Sequence, residues 1–377
     1  FWYSTPVLIG ANPTLRPMGL LWQRCVVGIL PYLLVAEAVL SVHRSRRFGE
    51  SEGEEEEESL DFTEGVTSSM CSRLLGNATM ESLRTIMEQR PSTMPTRPAV
   101  LYFLHIPKAA GVSFQEDVKE MLGDAMMAYM AKEGCYGWAE CAPGAGVVTL
   151  LRNPRAHVLS QYVHCATLPT RKIEYRQDMP EFEAWLQKWA EYQRTGKAED
   201  DFAPEVPRDG RELVASTSTK SPYKCYSPVN MMMQRLTCYQ TFNYRNVKQR
   251  DLPSVAKTNL QRSWMVGVVE AYEESMCLLY EKVNEELPAS CNCLASQDGR
   301  GRPPGVWRHT AHGVAPHRIE DVPEATLQLI DQLTTHDAQI YRQGVRRFVS
   351  EMREAEAKYG VQVLCNATLQ KLEPYLK

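Results

Sequence analysis

Two short stretches of this chain carry the residue types that bind phosphate. In the first, Ala99–Phe114 (AVLYFLHIPKAAGVSF), the apolar run Val100–Ile106 has the length and β-formers of a buried strand. It stops at Pro107, and Lys108, Ala109, Ala110 and Gly111 make a small-residue turn. A helical pattern begins at Val112, with Phe114, Val118, Met121 and Leu122 on one face. Strand, small loop and helix N-terminus form an anion cradle. The N–H groups from Ala109 through Gly111 and Val112 to Ser113 converge on the ligand, the helix dipole favours negative charge, and Lys108 adds a full positive one.

In the second stretch, Val147–Leu151 reads as another buried strand, ending in Arg152-Asn-Pro-Arg155. A helix follows, with Asn153 as its N-cap and Pro154 at its first position. Leu159, Tyr162 and Val163 make its expected apolar face, while His157, Ser160 and His164 share another at i, i+3 and i+7. Arg152 and Ser160 then point into one crevice, where open α/β sheets bind ligands.

A proton acceptor beside such a site has three candidates. Residues 114–151 contain no histidine, and the acids Glu116, Asp117, Glu120 and Asp124 fall on the first helix, mostly at surface positions. Glu140 sits in the Trp138-Ala-Glu-Cys141 loop, where aromatics and cysteines would hold it rigid and raise its pKa by desolvation. It is the first choice, followed by His164 and His157 on the Ser160 face.

The nucleotide P-loop, GxxxxGK[ST], places its lysine late; here Lys108 comes first. That order resembles the 5′-phosphosulfate loop (PKxxGxS/T) of sulfotransferases that use 3′-phosphoadenosine 5′-phosphosulfate (PAPS). LLRNPRAHVLSQY is similar to the 3′-phosphate segment (RxPxxxxxSxY) of Golgi-type, membrane-anchored carbohydrate sulfotransferases. Cys225–Cys238, with Asn230 and Arg235, resembles the NxQTR-like segment of the heparan and uronyl 2-O-sulfotransferase branch, and VGVVEAYEESMCLLYE resembles its late strand–helix unit. The likeness covers roughly residues 99–365.

The resemblance implies an α/β, P-loop-like sulfotransferase fold with a mainly parallel sheet flanked by helices. It implies PAPS as donor, a glycan hydroxyl as acceptor and no metal. Lys108 and residues 109–113 would hold the phosphosulfate, and Arg152 and Ser160 the 3′-phosphate. A loop at Gly299–Pro316 would close over the donor, which makes Arg302, Arg308, His309 and His312 candidate contacts. Two readings stay open beside it: a nucleotide-dependent kinase on a related fold, and a non-catalytic nucleotide- or glycan-binding protein.

The remaining elements must carry these two stretches. The chain has 377 residues, 44% hydrophobic and 23% charged, which is ordinary for a globular protein with appendages. Its net charge of -4 comes mostly from the first 98 residues, so the rest is nearly balanced and nucleic acid is not an expected partner. Residues 1–47 hold an apolar run at about 19–42, interrupted by Pro31 and Glu37, read as a signal-anchor with a cleaved signal peptide or a non-membrane segment as alternatives. Residues 48–98 form an acidic, proline-punctuated stem in which 70–90 is weakly helical. Residues 99–377 are the catalytic domain. Within it, helices are expected at 180–194 and 270–283, the latter with Met276, Leu279 and Tyr280 inward, and in two stretches meeting near Thr334-Thr335; residues 200–221 read as a surface excursion. Apart from Cys25, ten of the 11 cysteines lie outside the apolar run. An even number there, with sequons at Asn77 and Asn366, fits disulfides and a type II Golgi membrane protein with a lumenal domain. A zinc site from Cys291, Cys293, His309 and His312 is a weaker reading of the same residues.

Overall fold

The computed structural model describes residues 97–98, 100–122, 128–132, 134–141, 144–167, 179–195, 226–238, 251–296 and 317–377. The apolar run, the stem, the excursion at 200–221 and the loop at 299–316 lie outside them. In chain order the elements are β1 (Val100–Leu104), α1 (Gly111–Leu122), β2 (Ala128–Lys132), α2 (Gly137–Glu140), β3 (Ala145–Leu151), α3 (Pro154–Thr167) and α4 (Phe182–Thr195). There follow α5 (Met231–Thr237), α6 (Leu252–Arg262), β4 (Met265–Val268), α7 (Tyr272–Asn284), α8 (Cys293–Ser296), α9 (Glu324–Leu333), α10 (Thr335–Tyr359) and α11 (Asn366–Leu372).

The fold is α/β: four parallel strands in the order β2-β1-β3-β4, with helices packed around them. β1 and β4 are buried at every position and β3 at all but its first. Unbroken apolar strands of this kind are what a sheet covered on both faces demands. The chain steps from β1 outward to β2, then returns to the other side of β1 for β3. The strand order therefore reverses between β1 and β3, and a crevice opens at their carboxyl ends.

α10 lies against β3 and β4 at very close range, because a Cβ on Gly344 would fall 2.2 Å from Leu151 Cδ1. A second apolar cluster, separate from the sheet, joins Val158 of α3 to Trp185, Leu186 and Trp189 of α4 and to Ile330 and Leu333 of α9. Between the clusters, α5 and α10 cap each other. Asp337 accepts from the N–H groups of Met232 and Met233 at 3.0 and 2.9 Å, and Asn230 accepts from those of His336 and Asp337 at 3.0 and 3.2 Å. Each side chain satisfies the orphan donors that open the other's helix.

Disulfides join Cys135 to Cys238, Cys277 to Cys291 and Cys293 to Cys365, and Cys141 and Cys165 are also disulfide-bonded. The zinc reading is thereby overturned: Cys291 and Cys293 each hold a different cysteine, and no metal-binding group occurs among the described residues. Among those residues no helix is long and apolar enough to cross a membrane.

Several elements differ from the sequence expectation. β2 and α6 were not foreseen, and the Trp138–Cys141 loop contains the short helix α2. Tyr280 turns outward to donate to Glu286, while Tyr272 points inward and donates to the buried Asp117 at 2.6 Å. α3 buries Leu159 as expected, but it also buries His157, Val158, Ser160 and Gln161 more fully than the half-buried Tyr162 and Val163, with His157 bonded to the Pro107 carbonyl of the loop after β1.

Cys135–Cys238 spans 103 residues and ties the β2–β3 connection to the end of α5. Closing so long a loop restricts the unfolded chain most, so Cys135→Ser/Cys238→Ser is expected to lower unfolding free energy by about 2–5 kcal/mol. Denaturant unfolding of the double mutant against the parent checks it.

Candidate functional site

The two phosphate-type stretches meet at the switch point. β1 ends at Leu104, whose carbonyl accepts from Thr149 Oγ1 of β3 at 3.0 Å. Beyond it the loop Ile106–Ala110 turns sharply, with the Ala109 N–H bonded to the Ile106 carbonyl at 3.2 Å. Lys108 and Ala110 take left-handed backbone at φ 65° and 58°. For residues with a Cβ that conformation costs on the order of 1–2 kcal/mol each. α1 then begins at Gly111, where a Cβ would lie 1.8 Å from His105 Nε2. The position admits glycine alone unless His105 moves.

Two side chains from the second stretch hold this loop. Arg152 donates through Nη1 to the Lys108 carbonyl at 2.9 Å. His157 donates through Nε2 to the Pro107 carbonyl at 2.7 Å. Successive loop carbonyls are thus gripped by the strand end and by the first turn of α3. Asn153 caps that helix as expected, accepting from the N–H groups of Arg155 and Ala156 at 3.0 and 3.3 Å.

The cations are few and most are engaged. Lys108 Nζ donates to His164 Nδ1 at 3.1 Å, and the His164 ring lies 5.6 Å from that of Tyr226. Burial lowers the pKa of Arg152, with the charge of Glu270 opposing the shift. Burial likewise raises Glu270, opposed by its bonds from the Asn153 N–H at 2.9 Å and the Tyr341 hydroxyl at 2.8 Å. The Asn153 amide also donates to Tyr375. Arg155 is paired outward with Asp331 on α9.

His157 is 1% exposed, and burial holds its pKa down to about 4; the Pro107 carbonyl opposes the shift, while Arg152 and Lys108 add to it. A neutral ring donating to a carbonyl positions the loop.

Of the expected residues, the structure brings Lys108 and its loop together with Arg152, His157 and His164, and Ser113 and Ser160 are buried. Glu140 is the last residue of α2. Arg308 and His312 lie outside the described residues, as do Arg302 and His309. Asn230 and Arg235 go to the scaffold: Asn230 caps α10, and Arg235, 1% exposed, donates to the Gly134 carbonyl at 3.2 Å. The sequence reading missed Glu270, Tyr341 and Tyr375. Glu270 lay in a quoted segment, directly after a strand, and that position was its one available signal.

His157 titrates near 6.5 when unfolded and at about 4 when folded, so the unfolded chain binds the extra proton between those values. Stability should therefore fall as pH drops from 6.5 towards 4, by as much as about 3 kcal/mol. His157→Gln should flatten that slope in acid-unfolding curves.

Compared with known proteins, the chain matches no family model and no curated protein.

Proposed function

We propose that this chain has a P-loop-like sulfotransferase fold and transfers a sulfuryl group from PAPS to a hydroxyl of a glycan. It would act as a single-pass type II protein facing the Golgi lumen. The observation that carries the reading is the convergence of a lysine-first loop and an Arg–Asn–Pro helix start at the strand switch point, joined by the Arg152–Lys108 bond. The disulfides support an oxidising compartment. The likeness to the carbohydrate sulfotransferases rests on the motifs quoted above.

The residues fit the donor. A diphosphorylated adenosine needs separate cationic contacts for its 5′ and 3′ ends, which suits Lys108 and Arg152, each with a buried serine hydroxyl nearby in sequence. Gly111 lets the start of α1 pack against the His105 ring, which a Cβ there would strike. Arg308 and His312 remain candidate contacts from the 299–316 loop.

When bound, PAPS supplies the sulfuryl group: the acceptor oxygen bonds to sulfur as the S–O bond to the 5′-phosphate breaks, and 3′,5′-ADP leaves with the electron pair. Lys108 and the loop N–H groups neutralise charge on that leaving phosphate. Arg152 and Ser160 read the 3′-phosphate. The acceptor's proton goes to a side chain of the protein. His164 takes this role ahead of Glu140, since its ring stands against Lys108, at the sulfuryl end of the site. His157 is assigned to loop positioning.

Lys108→Ala should abolish label transfer from labelled PAPS to a glycan panel while the unfolding midpoint stays near the parent's. His164→Gln should cut turnover by about 10²–10⁴-fold with 3′,5′-ADP affinity nearly unchanged, and Glu140→Gln should cost little. The reverse pattern would move the proton to Glu140. Transfer of phosphate from labelled ATP, with none of sulfate from PAPS, would replace the reading with a kinase.

A further inference from the structure

Lys108 and His164 come from different motifs, yet their side chains meet at 3.1 Å. An ammonium has only N–H donors, so His164 Nδ1 must offer its lone pair, with the ring neutral and its proton on Nε2. That lone pair is the one a base would use. We infer that Lys108 masks His164 before the donor binds and that binding of the donor's phosphosulfate unmasks it, so that donor binding arms the proton acceptor. The inference rests on the loop being the donor site.

The Lys108 backbone cannot swing away, since Arg152 and His157 grip it on both sides. Its side chain can still turn by rotamer. A bond from an ammonium to an anion adds the attraction between opposite charges, which a bond to a neutral imidazole lacks, so a phosphosulfate at the loop draws Nζ from the imidazole. His164 then loses an adjacent cation, and the bound anion offsets the charge that remains. Both changes raise its affinity for a proton. An acceptor hydroxyl arriving after the donor meets a free lone pair; one arriving before it meets a lone pair already engaged.

The ionisable groups seen at this ring include Lys108 from the loop and Tyr226 from the segment before α5; Arg152 is bonded to the Lys108 carbonyl and His157 lies two turns back on α3. Phenol, guanidinium and ammonium titrate above the pH 5–8 window, and His157 titrates below it at about 4. A titration within that window at this place belongs to His164.

The experiment is a histidine ring NMR titration of the protein alone, of the protein with 3′,5′-ADP and of Lys108→Gln alone, with the signal assigned by its loss in His164→Gln. The His164 midpoint should rise by about one pH unit, tenfold in proton affinity, both with nucleotide and in Lys108→Gln. An unchanged midpoint in a folded Lys108→Gln overturns the masking. Nucleotide that binds without moving the midpoint overturns the arming and leaves the donor reading intact. Nucleotide that does not bind removes the donor reading and the arming together, while the Lys108→Gln arm still decides the pairing.

Discussion

The site depends on the grip that Arg152 and His157 exert on two successive carbonyls, those of Pro107 and Lys108. The loop needs holding, because Lys108 and Ala110 both sit in left-handed backbone without being glycine. A charge-assisted bond contributes on the order of 1.5–3 kcal/mol and a neutral one about 1, which together offset strain of that size. Alternating handedness is the backbone pattern of an anion nest, but here the Ala109 N–H is bonded within the loop to the Ile106 carbonyl. Both gripping groups come from the second stretch, so neither phosphate motif has its shape alone. Their meeting requires β1 beside β3, and the Thr149–Leu104 bond fixes that neighbour relation at the very strand ends.

Placing a guanidinium at a buried strand end requires compensation, and the far C-terminal part of the chain supplies it. Glu270 opposes the desolvation of Arg152, Tyr341 of α10 donates to Glu270, and Tyr375 meets Asn153. The rings of Tyr341 and Tyr375 pack edge to face at 4.9 Å. α10 can bring Tyr341 this close because Gly344, one turn along, lets the helix sink onto Leu151. The residues following α10 are therefore structural parts of the site, although they carry no phosphate-binding chemistry of their own.

What could be read from sequence was local. Strand, proline, small loop and helix start follow from neighbouring residues, and so does the Asn153 cap. Long-range relations were not legible. β2 lies at the end of the apolar run Ala125–Ala131, whose alanines and methionines are weak β-formers, and its pairing with β1 is a tertiary fact. The apolar period of α3 places Leu159, Tyr162 and Val163 towards the core; Leu159 is buried there, but Tyr162 and Val163 are half-buried and His157, Ser160 and Gln161 go inside instead, with His157 bonded to a loop carbonyl. His157 looked like a possible base from its spacing to Ser160; only its burial under Pro107 shows it as a clamp. Asn230 and Arg235 carry a motif resemblance, but in this chain they satisfy a helix end and a carbonyl.

The lysine-first order acquires a physical meaning from this arrangement. In a loop that ends in GK[ST], the lysine belongs to the helix and reaches back over the phosphates from there. At the first loop position, Lys108 leaves the strand end directly and its side chain extends across the crevice to α3. It meets the helix at His164, four residues beyond Ser160 and thus one turn further on the same side. The cation at one end of the proposed donor is in this way in contact with a group able to accept a proton at the same end. Moving the lysine to the helix would keep the charge near a phosphate and lose that contact. The order of residues in the loop, and not its charge alone, decides whether anion binding and proton acceptance can be coupled.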